Sequence, residues 1–540
     1  MPRTLIVGFD GATLDLCERW IAEDRMPVLA GLMRDGSWAR MRSVFPYNSA
    51  VAWTSLVTGM SAGRHGVFDF LLPREDQYSM RVANGDDRHV PAIWNHATDA
   101  GGRVGVFGIP MTFPAEPVNG YYISGMDAPG LEERSVHPKG LLADIARIRP
   151  NYKIISKAYI RAERGEWGAA ERELIDVVVD RSRLVEELAK PRDLDMIIVD
   201  LEATDGSHHF FWQHFDPGHP RHDPALAKEW GGTIGRVYEA CDRELGRLID
   251  AYAPDTVFVV SDHGGGPSRD WALFMNDWLE AEGLLTVQRR ASSSVARRAY
   301  STALRHLSHP FKQRLQPLFG RWIERAKGLA LFGDVDWSRT RAYGTVQSMV
   351  RLNLRGREPL GTVAPEDRDA VLDELAAKAA RRTFPDGTPL FTRVARPEEI
   401  YEVDPAVPGL PDLVVEPQVG TEVRGRNTGA KRGFLLPLKD LGTWYPSGEH
   451  TPVGMVVAAG AGIEKMGEVP EVHIQQVAPS TLAVMGIPAP NLPRQPFPFV
   501  SAGVISTGQE VQVVEREGLE LNAEEEEEVL ERLRGLGYVD

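Results

Sequence analysis

The chain has 540 residues, of which 43% are hydrophobic and 25% charged, the make-up of a globular protein with one large core and accessory segments. A formal net charge of −15 argues against a general binder of nucleic-acid polymers or anionic membranes, which would need clustered Lys and Arg. A small anionic substrate stays open to it, because bound metal ions can dominate the local field.

Thr4 to Phe9, a short β-rich apolar run ending in Asp10-Gly11, reads as a buried parallel strand. The run is far too short for a signal-peptide core or a membrane span, so the expectation is a cytoplasmic protein without a transmembrane segment. A helical pattern follows from Leu14 to Leu32. Further strands are predicted at Arg103 to Phe107, Met196 to Asp200 and Thr256 to Ser261, separated by helical stretches such as Glu171 to Leu188 and Thr233 to Tyr252. That alternation predicts a doubly wound α/β fold, whose ligands sit beyond the carboxyl ends of the strands. Cys17 and Cys241 are too few for a disulfide framework or a thiolate metal site and read as packed core residues.

From Gln288 to Ala330 the chain carries ten Arg or Lys against one acid, Glu324, with apolar residues such as Leu304, Leu307, Phe311, Leu315, Leu318 and Trp322 at roughly helical spacing. A solvated helical excursion packing its apolar stripe on the core is the first reading. A lid over an anionic substrate and a membrane-surface contact are the others. Strand-like runs resume at Ser348 to Leu354, Leu413 to Pro417 and Gly454 to Ala459, as though an interrupted core were being completed. The tail from Asn522 to Asp540 opens with Glu524 to Glu528, suited to a docking helix with an acidic first turn. The chain therefore divides into a first part of the core (1–286), a basic helical insertion (287–330), a second part of the core (331–505) and a tail with an acidic helix (506–540).

Five short segments supply hard or imidazole ligands and a hydroxyl: Asp10 in GFDGA, Ser49 in FPYNSAVAWTSLVTG, Asp205 and His209 in TDGSHH, Asp262 and His263 in VSDHGGG, and His450 in GEHTPVG. Mixed Asp and His ligation suits Zn or Mn, since carboxylates favour harder ions and imidazole borderline ones. Taken singly, a DxxxH or a DH pair is more often a capping or hydrogen-bonded pair.

In combination, the segments resemble the nucleotide pyrophosphatase/phosphodiesterase family of the alkaline phosphatase superfamily. Members of that family carry an early strand-end Asp, a Thr or Ser nucleophile ahead of TG and HG pairs, a DxxxH, a DH followed by glycines, and a late His. Here the same order reads Asp10, Ser49 ahead of Thr58-Gly59 and His65-Gly66, Asp205 with His209, Asp262 with His263, and His450. The likeness runs from Thr4 to about Pro490. Ile109 to Pro114, Asp336 to Tyr343, Leu352 to Gly361 and Val477 to Pro490 further resemble a prokaryotic subgroup of phosphodiesterase-like members.

The resemblance implies an α/β/α sandwich with a central, mostly parallel sheet and a helical insertion. It also implies two divalent ions, zinc with manganese as the alternative. Asp205, His209 and His450 would hold one, and Asp10, Asp262 and His263 the other together with the Ser49 oxygen. Ser49 would then be the nucleophile of a phosphodiester or phosphoanhydride hydrolase that forms a covalent phosphoseryl intermediate on a small phosphorylated substrate such as a nucleotide. The Ala50 N–H, at a helix start, would bind a phosphate oxygen. One departure stands out: where animal members carry a phosphate-holding Asn after HG, this chain reads Val67-Phe68-Asp69-Phe70. Asn48 is a substitute for it, with a turn role as the competing reading. His208, His214, His219 and His222 match no family position and are read as supporting or surface residues.

SAVAW lacks the Pro and Arg of a sulfatase motif, and the inserted domain of cofactor-independent phosphoglycerate mutases is not recognisable. A phosphomonoesterase or a phosphonate hydrolase on the same scaffold remains an alternative, as does a non-enzymatic metal-stabilised ligand-binding domain. No Arg lies within several residues of Ser49 to bind the extra charge of a monoester, although Arg42 and Arg64 could reach in.

Overall fold

Ten strands build the main sheet: β1 Thr4–Gly8, β2 Ser37–Arg42, β3 Val104–Phe107, β4 Gly120–Ile123, β5 Val136–His137, β6 Met196–Asp200, β7 Thr256–Val260, β8 Val453–Gly460, β9 Gly467–Glu468 and β10 Val472–His473. Their order is β9-β2-β8-β7-β1-β6-β3-β4-β5, with β10 also on β2. The centre, β7-β1-β6-β3-β4, is parallel, whereas β8 runs antiparallel to both neighbours. This is a computed structural model, and it describes all residues except 75–76, 191–192, 289–331, 333, 346–347, 426–432, 442–443, 504, 515, 517 and 537–540. The basic insertion expected at 287–330 therefore lies almost wholly outside the described residues.

β1, β6 and β7 are continuous apolar runs because both faces of the sheet are covered. Ile6, Ile198 and Phe258 point to one face, where they pack with Val51 and Trp53 of α1 (Ser49–Thr58). Val7, Val199 and Val259 point to the other, against α2 (Trp167–Ala189), α3 (Ala203–Phe215) and α4 (Thr233–Tyr252). Each fully buried aliphatic side chain of this kind contributes roughly 1.5–3 kcal/mol. The register sets Gly8 level with Asp200 on one side and Val260 on the other, so three chain segments leave the sheet at one height.

One expectation is corrected. The single helix read over Leu14 to Leu32 is two, Leu14–Ala22 and Pro27–Asp35, because Pro27 lacks an N–H and Asp24 turns at a φ of 59°. The strands after residue 331 do not resume the main sheet at once. Ala342–Gly344, Met349–Leu352, Leu413–Pro417 and Phe391–Ala395 form a separate antiparallel sheet with its own core around Trp278, Leu352 and Leu413, and the chain rejoins the main sheet only at Val453. Near the end, α5 (Ala523–Gly535) starts at Asn522, whose side chain accepts the Glu524 and Glu525 N–H groups, and it buries Val529 and Leu533. Among the described residues, no helix is long and apolar enough to cross a membrane.

Candidate active site

The first group of side chains comes from the sheet. Asp10 and Asp262 each stand two residues beyond a strand, β1 and β7. Gly11 turns at a φ of 67°, and a Cβ on it would meet Asp205 Oδ1 at 2.8 Å, so this Asp-Gly step needs its glycine. The Gly11 N–H donates to Asp262 Oδ1 at 3.2 Å, and Trp53 Nε1 donates to Asp10 Oδ2 at 2.9 Å. His263 Nε2 lies 3.2 Å from Asp262 Oδ2 and 3.7 Å from Asp10 Oδ1. Its Nδ1 donates to the Gly264 carbonyl at 3.1 Å, which turns Nε2 toward the carboxylates.

Ser49 opens α1, with Asn48 as the N-cap: the Asn48 Oδ1 accepts the Val51 N–H at 3.1 Å. That cap uses the amide oxygen, which is the turn role that competes with phosphate holding by Asn48. Ser49 Oγ, almost fully buried, lies 3.3 Å from His263 Nε2. The Ala50 N–H belongs to the first helical turn, where donors have no acceptor within the helix.

The second group comes from α3 and a hairpin. Asp205 and His209 are one turn apart on α3 and share a face, with His209 Nε2 3.2 Å from Asp205 Oδ2. His450 comes from strand Gly448–Thr451, antiparallel to Gly264–Pro267, and its Nε2 lies 3.1 Å from His209 Nε2. The Gly448 carbonyl accepts from His209 Nδ1 at 2.9 Å, aiming Nε2 inward. Gly265, opposite His450, is packed so closely that a Cβ would fall 1.9 Å from His208 Nδ1.

Sequence reasoning missed the latch that holds this hairpin. Arg221 donates to the Tyr445 and Pro446 carbonyls at 3.1 and 2.6 Å and stacks 4.0 Å over the Tyr445 ring. His219 Nε2 donates to the Ser447 carbonyl at 3.1 Å, and both the Ser447 N–H and its hydroxyl donate to the His209 carbonyl. His208, His214 and His219 are buried rather than superficial, and Tyr238 Oη lies 3.0 Å from His208 Nε2. No local pattern marks Arg221 and His219, because their partners lie more than 200 positions away.

Buried oxygens of all three site carboxylates, Asp10 Oδ1, Asp205 Oδ1 and Asp262 Oδ2, lack a hydrogen-bond donor. Burial, then the charges of Asp262, Asp200 and Asp205, holds the Asp10 carboxyl well above the usual range. Burial favours a neutral His209, yet the Asp205 carboxylate outweighs it and raises the ring to about 9. Such oxygens left without a partner cost roughly 1–3 kcal/mol each, which a cation would relieve. One ligand atom each from Asp10, Asp262 and His263 lie within 4.8 Å of one another, and so do those from Asp205, His263 and His450. Carboxylate oxygens and imidazole nitrogens in these sets fit divalent metal ions. His263, expected with Asp10 and Asp262, also borders the Asp205 group.

Arg42 and Arg64 are engaged elsewhere, by Glu471 at 2.7 Å and Asp404 at 3.7 Å. Asp69, in the stretch that departs from the family pattern, is fully buried among Val67, Phe68 and Phe70.

The sequence model of the family described as type I phosphodiesterase / nucleotide pyrophosphatase matches residues 4–452. No curated protein sequence matches the chain. Among solved structures, human ectonucleotide pyrophosphatase/phosphodiesterase 5 is 12% identical with a TM-score of 0.50, covering 92% of this chain and 98% of its own. Its murine counterpart, in an inactive form in complex with AMP, is 13% identical with a TM-score of 0.48 over 90% and 96% of the two chains. At such identity the human structure establishes a shared fold.

Proposed function

The chain belongs to the type I phosphodiesterase / nucleotide pyrophosphatase family of hydrolases, within the alkaline phosphatase superfamily, and from that premise we propose that it cleaves phosphodiester or phosphoanhydride bonds with Ser49 as nucleophile. Asp205, His209 and His450 would hold one divalent ion, and Asp10, Asp262 and His263 a second beside Ser49 Oγ. Zinc, or manganese in its place, would supply Lewis-acid stabilisation of phosphoryl oxygens and lower the pKa of a neighbouring hydroxyl.

Ser49 Oγ adds to phosphorus in line with the departing ester oxygen, giving a phosphoseryl intermediate that water then hydrolyses. The Ala50 N–H donates to a non-bridging oxygen at the positive end of α1. Trp53 fixes the Asp10 carboxylate through its 2.9 Å hydrogen bond, and the Gly264 and Gly448 carbonyls orient His263 and His209. The substrate class is a small phosphorylated molecule, with nucleotides included. Diesters are favoured over monoesters, because the nearest sequence candidates for a second charge-binding group, Arg42 and Arg64, are paired with Glu471 and Asp404.

The observation that carries this reading is the set of donorless buried carboxylate oxygens beside a buried serine hydroxyl. Metal analysis joined to a panel of bis-p-nitrophenyl phosphate, p-nitrophenyl phosphate and a nucleotide tests it. Two equivalents of divalent metal and diester turnover that chelation abolishes are expected. A metal-free protein active on the panel would overturn the proposal.

A further inference from the structure

Helix α5 lies beyond residues 4–452, the span shared with the family, yet its end reaches the site. A small cavity of about 30 Å³ is lined by Ser49, Asp10 and Asp205 together with Met126, Ile155, Tyr159, Phe210 and Leu536. Leu536 is the residue that follows α5. Three separate contacts hold it there. The buried Arg532 guanidinium donates to the Met126, Ala128 and Pro129 carbonyls, so it grips the loop that carries Met126. Gly535 packs on Tyr159 so tightly that a Cβ would lie 1.9 Å from the ring. Glu525 pairs with Arg134.

The polar members of this cavity are already satisfied in part: Glu202 takes the Ser156 N–H at 2.9 Å and pairs with Arg181 at 3.1 Å. Asp200, whose buried Oδ1 has no hydrogen-bond partner among the described residues, also lines the cavity, and beyond the carboxylates and the Ser49 and Ser156 side chains its lining is aliphatic and aromatic. Resting on the proposed diesterase reading, we infer that Leu536, held by α5, walls a pocket for one ester substituent of the substrate, an uncharged hydrocarbon group, and sets how large that group can be. A methyl group is expected to fit the space, and a bicyclic aromatic group only where Leu536 moves or is made smaller.

The test uses the metal-loaded full chain and p-nitrophenyl diesters whose second substituent is methyl, benzyl or naphthylmethyl, so the leaving group is constant. Wild-type kcat/KM is expected to fall in that order. Leu536→Ala is expected to raise the naphthylmethyl-to-methyl ratio about ten-fold, and Leu536→Trp to lower the benzyl-to-methyl ratio by a similar factor. Leu536 is only half-buried, so both variants are expected to fold. Alongside, calorimetry on Ser49→Ala protein compares methylphosphonate with naphthylmethylphosphonate, with and without Leu536→Ala. Binding ratios that shift while the metal-loaded chain with Ser49 intact turns over none of the diesters would sink the diesterase reading and keep the pocket. Ratios unchanged by either Leu536 variant, in kinetics and in binding, would overturn the pocket, and failure of both phosphonates to bind would overturn both.

Discussion

The two groups of site residues are built differently. Asp10, Asp262 and His263 leave adjacent strands, β1 and β7, that are paired without interruption from Thr4 opposite Thr256 to Gly8 opposite Val260, in the buried middle of the sheet. His450 arrives 241 positions after His209, on a strand whose sheet partner is the short segment Gly264–Pro267. Its approach is fixed by polar contacts to three carbonyls, from Arg221 and His219, and by Ser447 against His209. Apolar burial thus sets the geometry of the first group, while a few hydrogen bonds set that of the second. Disturbing the sheet group should abolish the site, whereas disturbing the latch should weaken it by degrees.

The largest effects fall on residues common to both groups or rooted in the sheet. Ser49→Ala is expected to lower kcat by about 10³-fold or more with metal content unchanged, since the stronger ligands remain. Retained turnover would mean that water attacks phosphorus directly. Asp262→Asn is expected to lose metal and activity together, because a neutral amide is a poorer ligand than a carboxylate. A fully metallated Asp262→Asn protein would remove the sheet group from the comparison. Arg221→Ala is expected to weaken metal binding by about 10–100-fold, read by chelator competition, with Arg221→Lys recovering part of it by donating to the same carbonyls. Affinity equal to wild type would show that the hairpin needs no latch.

The contrast also explains what could be read from the sequence. β1, β6 and β7 are legible because a strand covered on both faces must be apolar throughout, and Asp10 and Asp262 follow them in chain order. Asp205 and His209 are legible through helical spacing, and the family pattern supplies His450. Arg221, His219 and Trp53 carry no such signal, since each acts on a partner far away in the chain. The split of Leu14 to Leu32 was readable at Pro27 but was masked by apolar periodicity that continues on both sides. The tail was read as a docking helix, and its reach to the site through Leu536 depends on tertiary packing that its own residues do not encode.

Neither group of site residues includes a guanidinium, and this sets the next expectation. For bis-p-nitrophenyl phosphate against p-nitrophenyl phosphate, kcat/KM should favour the diester by about ten-fold, since the monoester brings about one more negative charge and neither group of described site residues offers an arginine pair to receive it. A clear monoester advantage would mean that a cation outside the two groups reaches the site, and the diesterase assignment would fall.

The last expected effect, on stability alone, separates the scaffold's pH dependence from that of the two groups. Asp69 is fully buried, its Oδ1 accepts the Phe70 N–H at 2.6 Å, and its Oδ2 has no partner. Burial pushes its carboxyl up to about 8, against the opposing pull of the Phe70 and Leu71 N–H groups. In the unfolded chain an aspartate releases its proton near pH 4, so between about pH 4 and 8 the folded state holds a proton that the unfolded state has lost. The contribution of Asp69 to stability then falls as pH rises through that window, by at most about 1.4 kcal/mol per pH unit, and levels off above it. Asp69→Asn keeps the shape and removes the proton, so the difference in melting temperature between variant and wild type should grow in the variant's favour from pH 5 to 8. The new amide adds an offset of its own, from N–H groups that need acceptors, but that offset does not depend on pH, so the slope is the quantity to read. Measured at saturating metal, a difference that stays constant across the window would assign the pH dependence of stability to groups other than Asp69.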